Sequence, residues 1–332
     1  MAADMAEQPD VLRRLIAARS RLHRDIRRLT PTPLRGIALV GRGSSENAAL
    51  YGRSLLETLT HVPATLVPAS MVRLYGGETD MDGHLAVALS QSGRTADVVE
   101  TLEALGRHGA VTVALTTDPA SPLGGVADLV LDLQTGPERA VPATKTFTAE
   151  LATLAMIGEA FGATDLFGPR WPQMVDAVED ELQDQGCAGA AAARLHGIDQ
   201  LSIVAAGLLV AVANEGALKL RETALVAASG WSSAEFHHGP IAIVGPSHPV
   251  ILIAHSGRAG DEVLRIREEL PDVPTITIAT TPNADLRLPS HLPEPLAAIP
   301  AAVRAQQLAL ETARRRGLDP DQPPRIRKVT LV

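Results

Sequence analysis

Short apolar runs separated by helix-period segments recur along the whole chain. In the first half the runs fall at 36–40, 85–90, 111–116 and 128–133, and in the second at 201–206, 249–254 and 275–280. Their apolarity is continuous rather than alternating, which predicts strands buried on both faces. The segments between them are long enough for crossover helices. The expected class is therefore α/β, with parallel sheets flanked by helices.

The pattern is also doubled. At a shift of 164 residues three landmarks fall into register without a gap. The run 36–40 with Gly41-Arg42-Gly43-Ser44-Ser45 meets 200–204 with Ala205-Ala206-Gly207-Leu208-Leu209. Ser90-Gln91-Ser92-Gly93-Arg94 meets Ala254-His255-Ser256-Gly257-Arg258, and 111–117 meets 275–281. Three matches at one offset point to a duplicated unit. Domains are expected at 35–168 and 180–318, with a helical arm at 1–34 and a tail at 319–332. Gly168, Pro169 and Pro172 mark a link around 167–179. The arm, from near Pro9, reads as an exposed amphipathic helix.

The two copies differ in one respect that bears on chemistry. Ser90, Gln91, Ser92 and Thr95 place four hydrogen-bonding side chains in six positions, after a buried run and before a helix. A helix cap requires one hydroxyl. Several hydroxyls beside free backbone N–H groups suit an anion, and without a lysine they suit a phosphate ester that is held and released. Gly43, Ser44 and Ser45 end the neighbouring strand. In the second copy Leu208, Leu209 and Ala259 replace Ser44, Ser45 and Thr95. One phosphate site per chain is expected.

In the second half Glu215, Lys219 and Glu222 follow at i, i+4 and i+7, on one helical face. Alone they read as a solvated face with an ordinary ion pair. Glu235-Phe236-His237-His238-Gly239-Pro240 then brings histidines within twenty residues of Glu222, and a carboxylate with a histidine can move protons on a sugar. Adjacent histidines seldom ligate one ion and no H-E-x-x-H is present, so no metal or other cofactor is expected.

The bulk numbers narrow the classes. The chain has 332 residues, 45% hydrophobic and 2% aromatic, with net charge −8. An acidic chain without an aromatic-basic patch is not expected to bind nucleic acid. Its one cysteine, Cys187, excludes an internal disulfide and a cysteine-rich zinc site. No run is long enough for a membrane span, and no signal-peptide core is present, so the reading is cytoplasmic. Asp4, Glu7, Asp10 and Asp25 argue against a transit peptide among the early arginines.

These motifs together resemble the SIS (sugar isomerase) family, in particular the isomerase part of glucosamine-6-phosphate synthase and stand-alone aminosugar-phosphate isomerases and deaminases. The residues carrying the resemblance are Glu7-Gln8-Pro9, the glycine-serine loop at 41–45, the run 90–97, Ala143-Thr144-Lys145-Thr146 and Glu215–Leu220. His238-Gly239-Pro240 and the tail from Asp321 through Lys328-Val329-Thr330 complete the set. The resemblance implies two tandem SIS domains, each a flavodoxin-like three-layer sandwich. It places a phosphate on Ser45, Ser90, Gln91, Ser92 and Thr95, with Gly43, Ser44, Val141 and Ala143 also beside the substrate.

It further implies that Glu222 moves a proton between C1 and C2, supported by Lys219 and Glu215. His238 would open the sugar ring, contributed by the partner subunit of a homodimer with shared active sites. Lys328 would form a Schiff base with the open ketose, and Arg327 beside it would ease its deprotonation. Ala143 stands where the synthase has a serine touching the sugar, and Phe236-His237 replace leucine and lysine, so the sugar is left open.

The synthase takes ammonia from glutamine through an N-terminal cysteine, and this sequence begins Met1-Ala2. The leading expectation is a deaminase converting glucosamine-6-phosphate and water to fructose-6-phosphate and ammonia. A synthase-like isomerase without the glutaminase part, a fructosamine-phosphate deglycase and a non-catalytic sugar-phosphate sensor are the alternatives. The roughly 30 residues before Gly36 are too few for a helix-turn-helix module, which argues against a DNA-binding sensor.

Overall fold

The computed structural model describes residues 1–76 and 79–328. Two five-stranded sheets organise the chain, and every strand pairing in them is parallel. The first holds β1 (Gly36–Val40), β2 (Ala64–Leu66), β3 (His84–Leu89), β4 (Val111–Thr116) and β5 (Leu129–Asp132) in the order β2-β1-β3-β4-β5. The second holds β6 (Gln200–Ala205), β7 (Ala227–Ser232), β8 (Val250–Ala254), β9 (Thr275–Ala279) and β10 (Leu286–Arg287) in the order β7-β6-β8-β9-β10. Both sheets thus wind the same way. β6 begins 164 residues after β1, and β9 begins 164 after β4, so the duplication seen in the sequence is a duplication of structure.

Continuous burial explains why the central strands were legible. All five residues of β1 are buried, and its Leu39 pairs in register with Val87 of β3, both fully inaccessible. Burying a side chain such as Leu39 contributes about 2 kcal/mol. Helices cover the sheet faces. Lys145–Ala160 is buried along its whole length, as an interior helix must be. The helix Glu294–Arg315 is nearly as enclosed and packs on the helices Trp171–Gln183, Gly186–Ala193 and Val210–Lys219.

Three edge strands, β2, β7 and β10, were not anticipated. β2 has three residues and β10 two, while β7 reads Ala-Ala-Ser-Gly-Trp-Ser, with no β-branched residue to mark it. The expected link around 167–179 contains a sequence boundary between the two compact units, Pro169/Arg170. It is mostly helix, Trp171–Gln183, starting with Trp171 buried and Pro172 in its first turn, where a missing N–H costs nothing. The arm is corrected. The helix Gln8–Leu29 is amphipathic, but its apolar face is covered: Val11, Leu12, Leu15, Leu22 and Ile26 are buried. Arg27 Nε donates to the Ala160 carbonyl at 2.7 Å, and His23 Nε2 lies 3.3 Å from Glu159 Oε2.

By packing, the chain divides into two compact units. The first comprises Asp10–Glu138 and Lys145–Pro169 with the tail residues Arg327 and Lys328. The second comprises Met1–Pro9, Arg139–Thr144 and Arg170–Ile326. Among the described residues no helix is long and apolar enough to cross a membrane.

Candidate active site

In open parallel sheets of this winding, ligands lie beyond the carboxyl ends of the strands where the order reverses. In the first sheet that point is between β1 and β3, and the loops leaving those strands are 41–45 and 90–95. Gly43 takes φ +58°, a left-handed value that favours glycine, and directly precedes the helix Ser44–Thr60. Gly93 takes φ +61°, and a Cβ there would lie 2.0 Å from Ser121 Oγ, so only glycine lets the loop pass.

The backbone of the 90–95 loop is held from below. The Gln91 carbonyl accepts the Thr117 N–H at 3.1 Å, the Thr117 hydroxyl at 2.8 Å and the Thr116 hydroxyl at 3.2 Å. Its side-chain amide makes no hydrogen bond among the described residues. Thr95 occupies the cap position of the helix Ala96–Arg107, yet its hydroxyl makes no capping bond and instead lies 3.4 Å from Ser90 Oγ. Ser92 Oγ accepts the Arg94 N–H at 3.2 Å. The hydroxyls are therefore not consumed by capping, and the positive end of a helix dipole stands beside them.

The nearby guanidinium groups are neutralised locally. Arg42 grips the buried Asp97 through Nε at 2.8 Å and Nη2 at 2.6 Å, and Arg94 pairs with Asp118 at 3.0 Å. Ser45 is the exception among the expected phosphate ligands. It is buried, and its hydroxyl donates at 2.7 Å to Glu150 on the fully buried helix Lys145–Ala160. In this arrangement the Ser45 hydroxyl hydrogen is turned to Glu150, and its N–H to the Arg42 carbonyl at 3.1 Å. Glu150, Asp97 and Ser121 were missed by sequence reasoning. Ser44 is half-buried in the first turn of its helix.

The second unit holds the expected acid–base residues. The helix Val210–Lys219 runs into a π turn, Leu220–Ala224, which ends at Leu225 with φ +55°. Such turns are rare and occur often at functional sites. Thr223 Oγ donates to the Lys219 carbonyl at 2.8 Å, satisfying backbone that the widened turn would otherwise strand. Lys219 Nζ lies 3.4 Å from Glu215 Oε1 and 2.6 Å from Glu222 Oε2. The Lys219 and Glu215 side chains are 0% and 1% exposed, whereas Glu222 is 19% exposed. One ammonium thus sits between a sealed carboxylate and an accessible one. A solvated face would have left all three wet.

The two histidines part company. His237 is fixed, with Nδ1 2.7 Å from the Ser233 carbonyl and Nε2 2.8 Å from Glu269 Oε2. The Glu269 hydrogen bond raises its pKa above 6.5. His238 is exposed, with its backbone N–H bonded to the Glu235 carbonyl and its ring unpartnered among the described residues. Of the two, His238 is the one available to a ligand.

Val141 and Ala143, both half-buried, belong to this second unit in the segment Arg139–Thr144. Asp4 accepts the N–H groups of Arg139 and Ala140 at 3.0 and 2.9 Å, and Gln306 donates to the Thr144 carbonyl at 3.2 Å. Lys328 is half-buried, the last described residue, and falls in the first unit. Val329 and Thr330 lie outside the described residues. The serine loops and Lys328 therefore belong to one unit, and Glu215, Lys219, Glu222, His238, Val141 and Ala143 to the other. No group of three or more metal-ligating side chains occurs among the described residues.

Comparison with known proteins agrees with this architecture. The SIS domain model matches residues 34–160 and 194–290. A glutamine–fructose-6-phosphate aminotransferase (isomerizing) of Halobacterium salinarum is 33% identical over 356 residues, spanning 100% of this chain and 59% of that protein. The enzyme of the same name from Pyrococcus horikoshii is 32% identical, spanning 89% of this chain and 52% of its own length. The chain thus spans little more than half of these relatives. Among solved structures, a provisionally assigned phosphosugar isomerase from Silicibacter pomeroyi superposes with a TM-score of 0.86 at 28% identity, covering 97% of this chain and 99% of that one. A glucosamine-6-phosphate deaminase from Thermotoga maritima shares the fold, with a TM-score of 0.81 at 23% identity over 98% of each chain. With one match in each sheet-bearing half, the chain belongs to the SIS domain family as a tandem of two such domains.

Proposed function

We propose that this protein is a sugar-phosphate isomerase acting on an aminosugar phosphate, and that it converts glucosamine-6-phosphate and water to fructose-6-phosphate and ammonia. The observation that carries the reading is the carboxylate of Glu222, held on a π turn by the buried Lys219 while itself open to solvent. Ser90, Gln91, Ser92 and Thr95 hold the phosphate in this reading, together with backbone N–H groups of their loop. His238 opens the ring by proton transfer between O5 and O1. Glu222 takes the proton from C2 and delivers it to C1, which turns the 2-amino aldose into a 2-imino ketose. Water adds at C2, the carbon–nitrogen bond breaks, and ammonia leaves with the ketose carbonyl restored. Lys328 is assigned to the open-chain ketose.

The proposal includes a cytoplasmic homodimer in which His238 serves the partner. An assay of ammonia from glucosamine-6-phosphate tests the reaction, and absence of ammonia with intact sugar-phosphate binding would leave a sensor. Mixing inactive Glu222→Gln and His238→Ala subunits tests the dimer: activity returns if the histidine acts in trans, and stays absent if it acts in cis.

A further inference from the structure

The second half keeps the backbone of the glycine loop 41–45 but carries Leu208 and Leu209 in place of its two serines. We infer that this loop is still an anion cradle, and that its occupant is the chain's own Glu294 carboxylate. Gly207, the counterpart of Gly43, takes the same φ of +58°. The Leu208 N–H that follows donates to Glu294 Oε1 at 3.0 Å. A Cβ on Gly207 would lie 2.6 Å from that same oxygen. The turn Gly207–Leu209 leads directly into the helix Val210–Lys219, so the carboxylate sits at the start of a helical segment of more than three turns. Glu294 also opens its own helix, Glu294–Arg315, and so lies at two positive dipole ends.

A second observation marks the place as built for a ligand. His255, the counterpart of Gln91, is 8% exposed, and its Nε2 has no hydrogen-bond partner. His255 and Glu294 line one small cavity of about 10 Å³, with Ala206, Leu209, Ala254 and Ala259. That space holds a single water at most. The cradle is therefore full, and a tethered carboxylate is what fills it. Loss of the serines fits this occupant, because a carboxylate presents fewer oxygens than a phosphate. In this account one phosphate binds per chain because the second cradle is already liganded. The inference rests on reading the 90–95 loop as the phosphate site of the first half.

Glu294→Ala removes the occupant, and inorganic phosphate is the probe. Calorimetry is expected to give one phosphate per chain for the wild type and two for the variant, and acetate should compete at the new site alone. Adding Ser92→Ala and Thr95→Val should remove the first site and leave the second. That separates a failure of the first-loop reading from a failure of this one. A Glu294→Ala protein that binds no more phosphate than the wild type overturns the inference. Should that variant not fold, the wild type decides by NMR. The Leu208 N–H donates to Glu294 Oε1, so its exchange with deuterated water should be slow. A Leu208 amide that exchanges at once overturns the inference equally.

Discussion

Lys219 Nζ lies 2.6 Å from Glu222 Oε2, and the lysine is wholly buried while the glutamate is reached by solvent. The pair fixes the direction of a carboxylate that, in the proposed reaction, turns its other oxygen to the reacting carbon. Glu222→Gln keeps shape and hydrogen bonding but removes the basic oxygen. Turnover should fall by about 10²–10⁴, the usual range for a lost general base. The loss should appear in kcat more than in KM, with exchange of the C1 hydrogen against deuterated water also stopped. Exchange at the wild-type rate in the Gln variant would reduce Glu222 to a structural partner.

Lys219 has a second, structural duty. Glu215 is 1% exposed and 3.4 Å from the ammonium, so removing the cation leaves a carboxylate buried without it. Lys219→Met should cost about 3–5 kcal/mol of stability, the usual penalty for half a buried ion pair. Pairing it with Glu215→Gln should recover much of that loss. Denaturant titration of the single and double variants reads both effects, and additive losses would mean that the two side chains do not depend on each other.

The central strands were legible because burial on both faces leaves an unbroken apolar run, as in Ile37–Val40 and Leu85–Leu89. The edge strands β2, β7 and β10 lack that signature, and β7 in particular is written, apart from Trp231, in small residues suited to close packing against the helix Val210–Lys219. The serine loop was legible because its side chains are consecutive. Glu222 was singled out by the resemblance and by the histidines that follow it, since Glu215, Lys219 and Glu222 alone have the spacing of an ordinary solvated face. Glu150 and Glu294 were not legible at all. They reach Ser45 and Leu208 from 105 and 86 residues away, and nothing local to either glutamate marks its destination.

The loop proposed to hold the phosphate makes its own prediction. Ser92 and Thr95 are not engaged in capping, so their loss should leave the fold intact and weaken the ligand. Ser92→Ala should reduce fructose-6-phosphate affinity by about 1–3 kcal/mol, the cost of a lost hydrogen bond to a charged group. Thr95→Val should act in the same direction. Ser45→Ala should behave differently, because that hydroxyl is donated to Glu150, and its effect should fall on thermal stability. Calorimetry with unchanged affinity for both the Ser92 and Thr95 variants would place the phosphate elsewhere.

Glu181 offers a test of the second unit by pH alone. It lies on the helix Trp171–Gln183, 3% exposed, with neither carboxyl oxygen accepting a hydrogen bond and Arg304 Nε 3.7 Å away. Burial pushes its pKa well above the ordinary 4.5, against the pull of Arg304 and with smaller help from Asp184 and Asp180. A raised folded value means that the folded state binds the proton more tightly than the unfolded chain. The resulting stabilisation is complete below 4.5 and is lost as pH rises through the folded value. Glu181→Gln keeps the neutral shape at every pH, so it should match the wild type in acid and exceed it in Tm increasingly as pH rises from 4.5 toward the folded value. A Tm difference that stays constant across that range would mean that Glu181 is ionised in the folded protein, with Arg304 compensating its charge.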